Sequence, residues 1–76
     1  MSAEFSVYQF FSDKSYEEVA RLIEAKEAVE LAKRLTESVG GRLGTTRRVL
    51  ITDGEDFTAF EWKFGEGVVF PPREVA

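Results

Sequence analysis

Residues 15–41 read SYEEVARLIEAKEAVELAKRLTESVGG, and the folding of this stretch decides the architecture. Ser15 and Glu18 fit the S-x-x-E capping box, in which each side chain satisfies an orphan backbone N–H at a helix start. Residues 16–39 hold no Gly or Pro and are dominated by Ala, Leu, Glu, Lys and Arg, all good helix formers. Gly40-Gly41 then offers a C-cap able to adopt positive φ. Within this stretch the apolar stripe slips. Tyr16, Val19, Ala20 and Ile23 share one helical face, whereas Ala28, Leu31, Ala32, Leu35 and Val39 share another. On a straight helix the two stripes lie roughly 130° apart. A small sheet cannot cover both, so the reading favours two short helices broken near Glu24-Ala25-Lys26-Glu27 over one bent helix.

Working outward, residues 4–11 are aromatic and β-branched and read as a strand. Neither of its faces is clearly polar: Phe5, Val7, Gln9 and Phe11 alternate with Ser6, Tyr8, Phe10 and Ser12, as in a central strand or in one with a face that meets a partner. Downstream, residues 47–52 and 57–64 read as strands joined by an Asp53-Gly54-Glu55-Asp56 turn. Gly65-Glu66-Gly67 leads into a last strand, Val68-Val69-Phe70, which Pro71-Pro72 ends. The expected fold is therefore a single α+β domain over residues 1–76. Its order is strand, one bent or two short helices, then a three-stranded antiparallel meander (β-α-α-β-β-β), with the helices on one face of a four-stranded sheet.

Centring the first hairpin on Gly54-Glu55 sets Val49 opposite Phe60 and Arg48 opposite Glu61. A three-residue second turn sets Val68 opposite Phe64 and Phe70 opposite Trp62. One face then collects Val49, Ile51, Phe60, Trp62, Phe64, Val68 and Phe70 as a core. The other collects Arg48, Leu50, Thr52, Phe57, Ala59, Glu61, Lys63 and Val69, apolar groups ringed by charge. Helices cover only one face of a single sheet, so this second face is expected to meet solvent or a partner. The ten aromatic residues are expected to fill the core of so short a chain.

Composition narrows the functional classes. Cys and His are both absent, which removes disulfides, zinc-thiolate sites, thiol nucleophiles and the usual general base. The hydroxyl residues have no His to activate them and no G-x-S-x-G motif is present, so no enzyme and no cofactor are expected. Asp53, Glu55 and Asp56 lack calcium-loop spacing and read as turn chemistry, and the glycine pairs match no phosphate-binding pattern. No apolar run exceeds three residues, against the ~20 needed to span a membrane. With no secretory pattern at Met1-Ser2-Ala3-Glu4-Phe5 and no cysteine, the expectation is a cytoplasmic protein that does not meet a membrane.

With 10 basic and 14 acidic residues the net charge is −4, which argues against direct nucleic-acid binding. The helical acids read as a solvated face interrupted by Lys26 and Lys33, with Glu17–Arg21 and Glu30–Arg34 as i, i+4 pairs. The candidate interaction residues are Tyr8, Phe10, Arg48, Leu50, Phe57, Glu61, Lys63 and Val69 on the mixed face, with the acidic Glu55 and Asp56 at its end. The alternative is a nucleic-acid-binding accessory protein using Arg42, Arg47 and Arg48, the one basic cluster.

By its size, acidity, α+β layout and lack of catalytic residues, the whole chain resembles, as a type, the small acidic inhibitors encoded by phages and mobile elements. The anti-CRISPR proteins are among these. The resemblance implies a stoichiometric inhibitor that occupies a basic nucleic-acid-binding surface on a subunit of a larger complex and blocks it. Taken with the residues, the expectation is a non-enzymatic protein-binding module, and a homodimer that covers the leftover apolar surface is also compatible with so short a chain.

Overall fold

A computed structural model describes residues 3–71. The element order is β1 (Phe5–Phe11), β2 (Tyr16–Ile23), α1 (Ala25–Glu37), α2 (Val39–Leu43), β3 (Thr46–Thr52), β4 (Thr58–Lys63) and β5 (Gly67–Phe70). All pairings are antiparallel, in one five-stranded sheet of order β2-β1-β3-β4-β5. The α+β class and the one-sided placement of the helices match the expectation from sequence. Residues 16–23, however, form a strand and not a helix, so the sheet has five strands and not four.

The reason lies in Ser12-Asp13-Lys14-Ser15. The Phe11 N–H donates to Ser15 O at 2.8 Å and the Lys14 N–H to Phe11 O at 3.0 Å, with Lys14 at φ 74°. These contacts close a three-residue hairpin loop. Asp13 Oδ1 accepts from both the Ser15 N–H and its hydroxyl, so the Ser15 hydroxyl serves the turn and caps no helix. The hairpin lays residues 16–23 along the open edge of β1, where they satisfy its outward backbone groups. As a strand the segment also buries Val19 and Ile23 against the core. Gln9 Nε2 donates to Glu17 at 2.9 Å and Arg21 meets Glu18 at 3.9 Å, so the expected Glu17–Arg21 helical pair does not form. The break inferred near residues 24–27 is real, but it separates a strand from a helix.

Gly40 and Gly41 lie inside α2, and the left-handed cap is Gly44 at φ 92°. Ser38 starts α2 by accepting the Gly41 N–H on its side chain at 3.2 Å. The strand register moves by two residues from expectation: Val49 faces Trp62, Ile51 faces Phe60, Leu50 faces Glu61 and Arg48 faces Lys63. A two-residue slip preserves faces because strand side chains alternate with period two. Single-residue shifts do not. The irregularity between Ile51 and Thr52 brings Thr58, and not Phe57, opposite Thr52. That between Glu61 and Trp62 sets Phe70 opposite Glu61 and Val68 opposite Trp62, with Val69 as the extra residue. Phe70 therefore leaves the expected core face. Pro72 lies outside the described residues.

The core is Val7, Ala28, Ala32, Val49 and Ile51, with Phe5, Val19, Ile23, Leu31, Leu35, Phe60 and Trp62 partly buried around it. Ala28 and Ala32 let α1 sit close on β1 and β3. The aromatic contribution to the core is smaller than expected: Phe5, Phe60 and Trp62 pack against it partly buried, and none of the ten aromatic residues is fully buried. No helix among the described residues is long and apolar enough to cross a membrane. At Gly41, buried behind the α1–α2 bend, a β-carbon would collide with the carbonyl oxygens of Leu35 and Thr36. We expect Gly41→Ala to lose more than about 2 kcal/mol in urea unfolding. The exposed Gly54→Ala, whose nearest neighbour would be the Glu4 side chain, should lose under about 1 kcal/mol.

Candidate interaction surface

Strand alternation sends Val7, Val49 and Ile51 towards α1, and so sends Tyr8, Phe10, Arg48 and Leu50 to the opposite face. The register aligns that face in rows across the strands. One row runs Glu18, Tyr8, Leu50, Glu61, Phe70, and the next runs Tyr16, Phe10, Arg48, Lys63. Ser6, Thr52 and Thr58 make a third. The molecule measures 19 Å along its shortest axis, enough for one sheet and one helix but no third layer. No helix or further strand among the described residues lies over these rows, although Thr52 in the third row is buried among its neighbours.

Six of the ten candidates from sequence lie in these rows: Tyr8, Phe10, Arg48, Leu50, Glu61 and Lys63. Val69 sits at the β5 irregularity beside them. Phe57, 67% exposed, falls out of the row at the hairpin end, next to the exposed Glu55 and Asp56. Sequence reasoning missed Tyr16, Glu18 and Phe70. The first two fall in the stretch whose local propensity reads as helix, although the turn residues 12–15 between two apolar runs carry the signal for a hairpin. Regular alternation puts Phe70 in the core, and a bulge in β5 carries no sequence mark.

The polar groups of the face hold one another. Arg48 Nε donates to Glu61 Oε2 at 2.6 Å while its guanidinium lies 5.1 Å from the Phe10 ring centre. The expected Arg48–Glu61 pair therefore forms, diagonally between rows. At partial exposure such a pair contributes about 1 kcal/mol or less, so its main effect is to fix the guanidinium in place. Phe10 stacks on Tyr16 at 5.5 Å and 29°, and Tyr8 lies 6.4 Å from Tyr16.

At the end of the sheet a cavity of about 310 Å³ is lined by Phe10, Arg47, Arg48, Lys63, Phe64 and Glu66. Arg47 lies 5.1 Å over the Phe64 ring. Neither Arg47 nor Lys63 has a carboxylate within ion-pair distance among the described residues. The basic cluster expected from sequence thus changes membership: Arg47 and Arg48 line this cavity with Lys63, and Arg42 on α2 does not.

Asp53 Oδ1 accepts the Glu55 and Phe57 N–H groups at 2.9 and 3.0 Å, so the expected turn chemistry fixes its carboxylate. No group of three or more candidate metal ligands occurs among the described residues. On the helix side, α1 covers β4 and β5 only in part, and a groove of about 250 Å³ runs between Val29, Lys33 and Thr36 and the strand residues Phe60, Trp62 and Val68.

No family model, curated protein or solved structure matches the chain.

Tyr8 is the one titratable group of the face with a resolved shift. Its hydroxyl donates to Glu18 at 3.0 Å. That hydrogen bond, with partial desolvation and the negative charges of Glu18 and Asp56, holds the phenol above its ordinary value of 10.0, against a smaller opposing contribution from Ser6. An acid with a raised folded pKa stabilises the fold fully below its unfolded pKa and loses that contribution as pH rises through the folded value. We expect Glu18→Gln to bring the Tyr8 phenol down towards 10.0, read from the Cζ chemical shift in an NMR pH titration. An unchanged titration would show that Glu18 is not the cause.

Proposed function

We propose that this chain is a non-enzymatic protein-binding module whose docking surface is the open sheet face. One observation carries the reading: none of the ten aromatic residues is fully buried, and the register lines up Tyr8, Phe10, Tyr16 and Phe70 with Leu50 on a face over which the described chain lays no second layer. An apolar centre with Arg48, Glu61, Lys63 and Glu18 among and around it has the make-up of an interface, where aromatic area supplies affinity and charges set orientation. A stoichiometric blocker of a nucleic-acid-handling complex, the role the resemblance implies, would use the surface in this way.

A second reading gains a specific support. Tyr16, Phe10, Arg48 and Lys63 lie in one row, and aromatic rings beside cations are what single-stranded nucleic acids stack upon. Only Arg47 and Lys63 lack a carboxylate partner there, and Glu66 lines the same cavity. A track of several phosphates therefore finds few contacts, which favours the protein partner.

The test is capture of partners from a native host lysate on the wild-type chain and on Leu50→Asp and Glu61→Arg, each checked for fold by circular dichroism. The docking reading expects a captured protein that both variants lose by about tenfold or more. Normal capture by both variants would exclude the sheet face. Salt-sensitive retention on single-stranded DNA, weakened by Lys63→Glu, would favour the second reading.

A further inference from the structure

We infer that the open face pairs with a second copy of this chain, related by a two-fold axis that lies in the interface and runs across the strands. The inference rests on the reading of that face as a docking surface and names the occupant. Its ground is a separation of charge along the β3–β4 hairpin. At one end Arg47, Arg48 and Lys63 line the cavity with Phe10, Phe64 and Glu66; Arg48 is paired with Glu61, so the excess positive charge there is that of Arg47 and Lys63 over Glu66. At the other end the loop between β3 and β4 carries Asp53, Glu55 and Asp56, with Glu4 beside Gly54. Among the described residues, Arg47 and Lys63 at one end and Glu55 and Asp56 at the other make no ion pair. Asp56 is close enough to the open face for its charge to act on the Tyr8 hydroxyl.

A rotation about such an axis, passing near Leu50 and Thr52, turns the open faces together and reverses the strands. The basic end of one copy then meets the acidic hairpin of the other, and symmetry makes the contact twice. The exposed Phe57 beside Asp56 would approach the Phe64 and Phe10 rings of the cavity. A head-to-tail contact would join the same ends without closing, whereas this arrangement satisfies both ends in one dimer. The size is sufficient: five strands about 4.8 Å apart, each about six residues long, span roughly 500 Å², so two copies bury about 1,000 Å², the lower bound for a specific interface.

The test is reciprocal charge exchange read by sedimentation velocity. One variant carries Arg47→Glu and Lys63→Glu, the other Glu55→Lys and Asp56→Lys. Asp56→Lys is compatible with its backbone, because Asp56 at φ 64° occupies the loop position that Lys14 occupies at φ 74° in the β1–β2 hairpin. The wild-type chain should dimerise, and each variant alone should do so at least about tenfold more weakly. An equimolar mixture should recover the dimer, because both contacts are again between opposite charges. Recovery on mixing also shows that both variants fold.

A wild-type chain that stays monomeric up to about millimolar concentration (a Kd at the weak end of the affinity scale) overturns the inference. So does a dimer that neither exchange weakens, or a mixture that fails to recover it. A monomeric chain that still captures a foreign protein through Leu50 and Glu61 overturns self-pairing and leaves the docking reading intact. A monomer that captures nothing overturns both.

Discussion

The packing of α1 on one side of β1 and β3 is the constraint from which the rest of this structure follows. Ala28 and Ala32 bring the helix onto Val7, Val49 and Ile51, and these small and β-branched side chains make a dry but thin core. Val7 and Val49 are the largest fully buried side chains among the described residues. One helix is about 10 Å wide with its side chains, and a five-stranded sheet is roughly twice that. The helix therefore covers β4 and β5 only in part on its own side, and no second layer lies over the other side of the sheet. The large apolar side chains, which in a thicker domain would be interior, sit at the borders of the core or on the open face.

That shortfall connects fold to function. Burial of apolar area is the dominant favourable contribution to folding, at about 25 cal/mol per Å², and here much aromatic area is left for a second event. The open face is not simply greasy. Arg48 is held between Glu61 and Phe10, and the Tyr8 hydroxyl is held by Glu18, so several of its polar groups are oriented before any partner arrives. Preorganisation of this kind lowers the ordering cost of association. Charge divided between the two ends of the β3–β4 hairpin adds direction to a surface that area alone would leave unoriented.

Much of this was legible in the sequence, and the reasons differ by segment. The face assignments of β1 and of most of β3 and β4 survived even though the first hairpin register was two residues off, because alternation depends on parity and not on the partner. Phe57 and Phe70 moved because bulges beside Thr52 and Glu61 change parity, and no residue type marks those bulges. Residues 16–23 read as helix because Glu, Ala, Leu and Arg favour helices locally. Their strand form is imposed by the edge of β1, a non-local partner that propensity does not sense. Arg47, Arg48 and Lys63 meet because β3 begins where β4 ends, which follows from the hairpin and not from spacing along the chain.

The central claim is that adjacent residues of one strand face a sealed side and an unsealed side. The most direct test compares Val7→Asn with Tyr8→Asn in β1 by equilibrium urea unfolding of dilute protein. Val7 is fully buried under α1, so its substitution should cost about 3 kcal/mol or more, whereas Tyr8→Asn should cost about 1 kcal/mol. Equal losses from the two substitutions would mean that the chain seals both faces of its sheet, and would contradict the account.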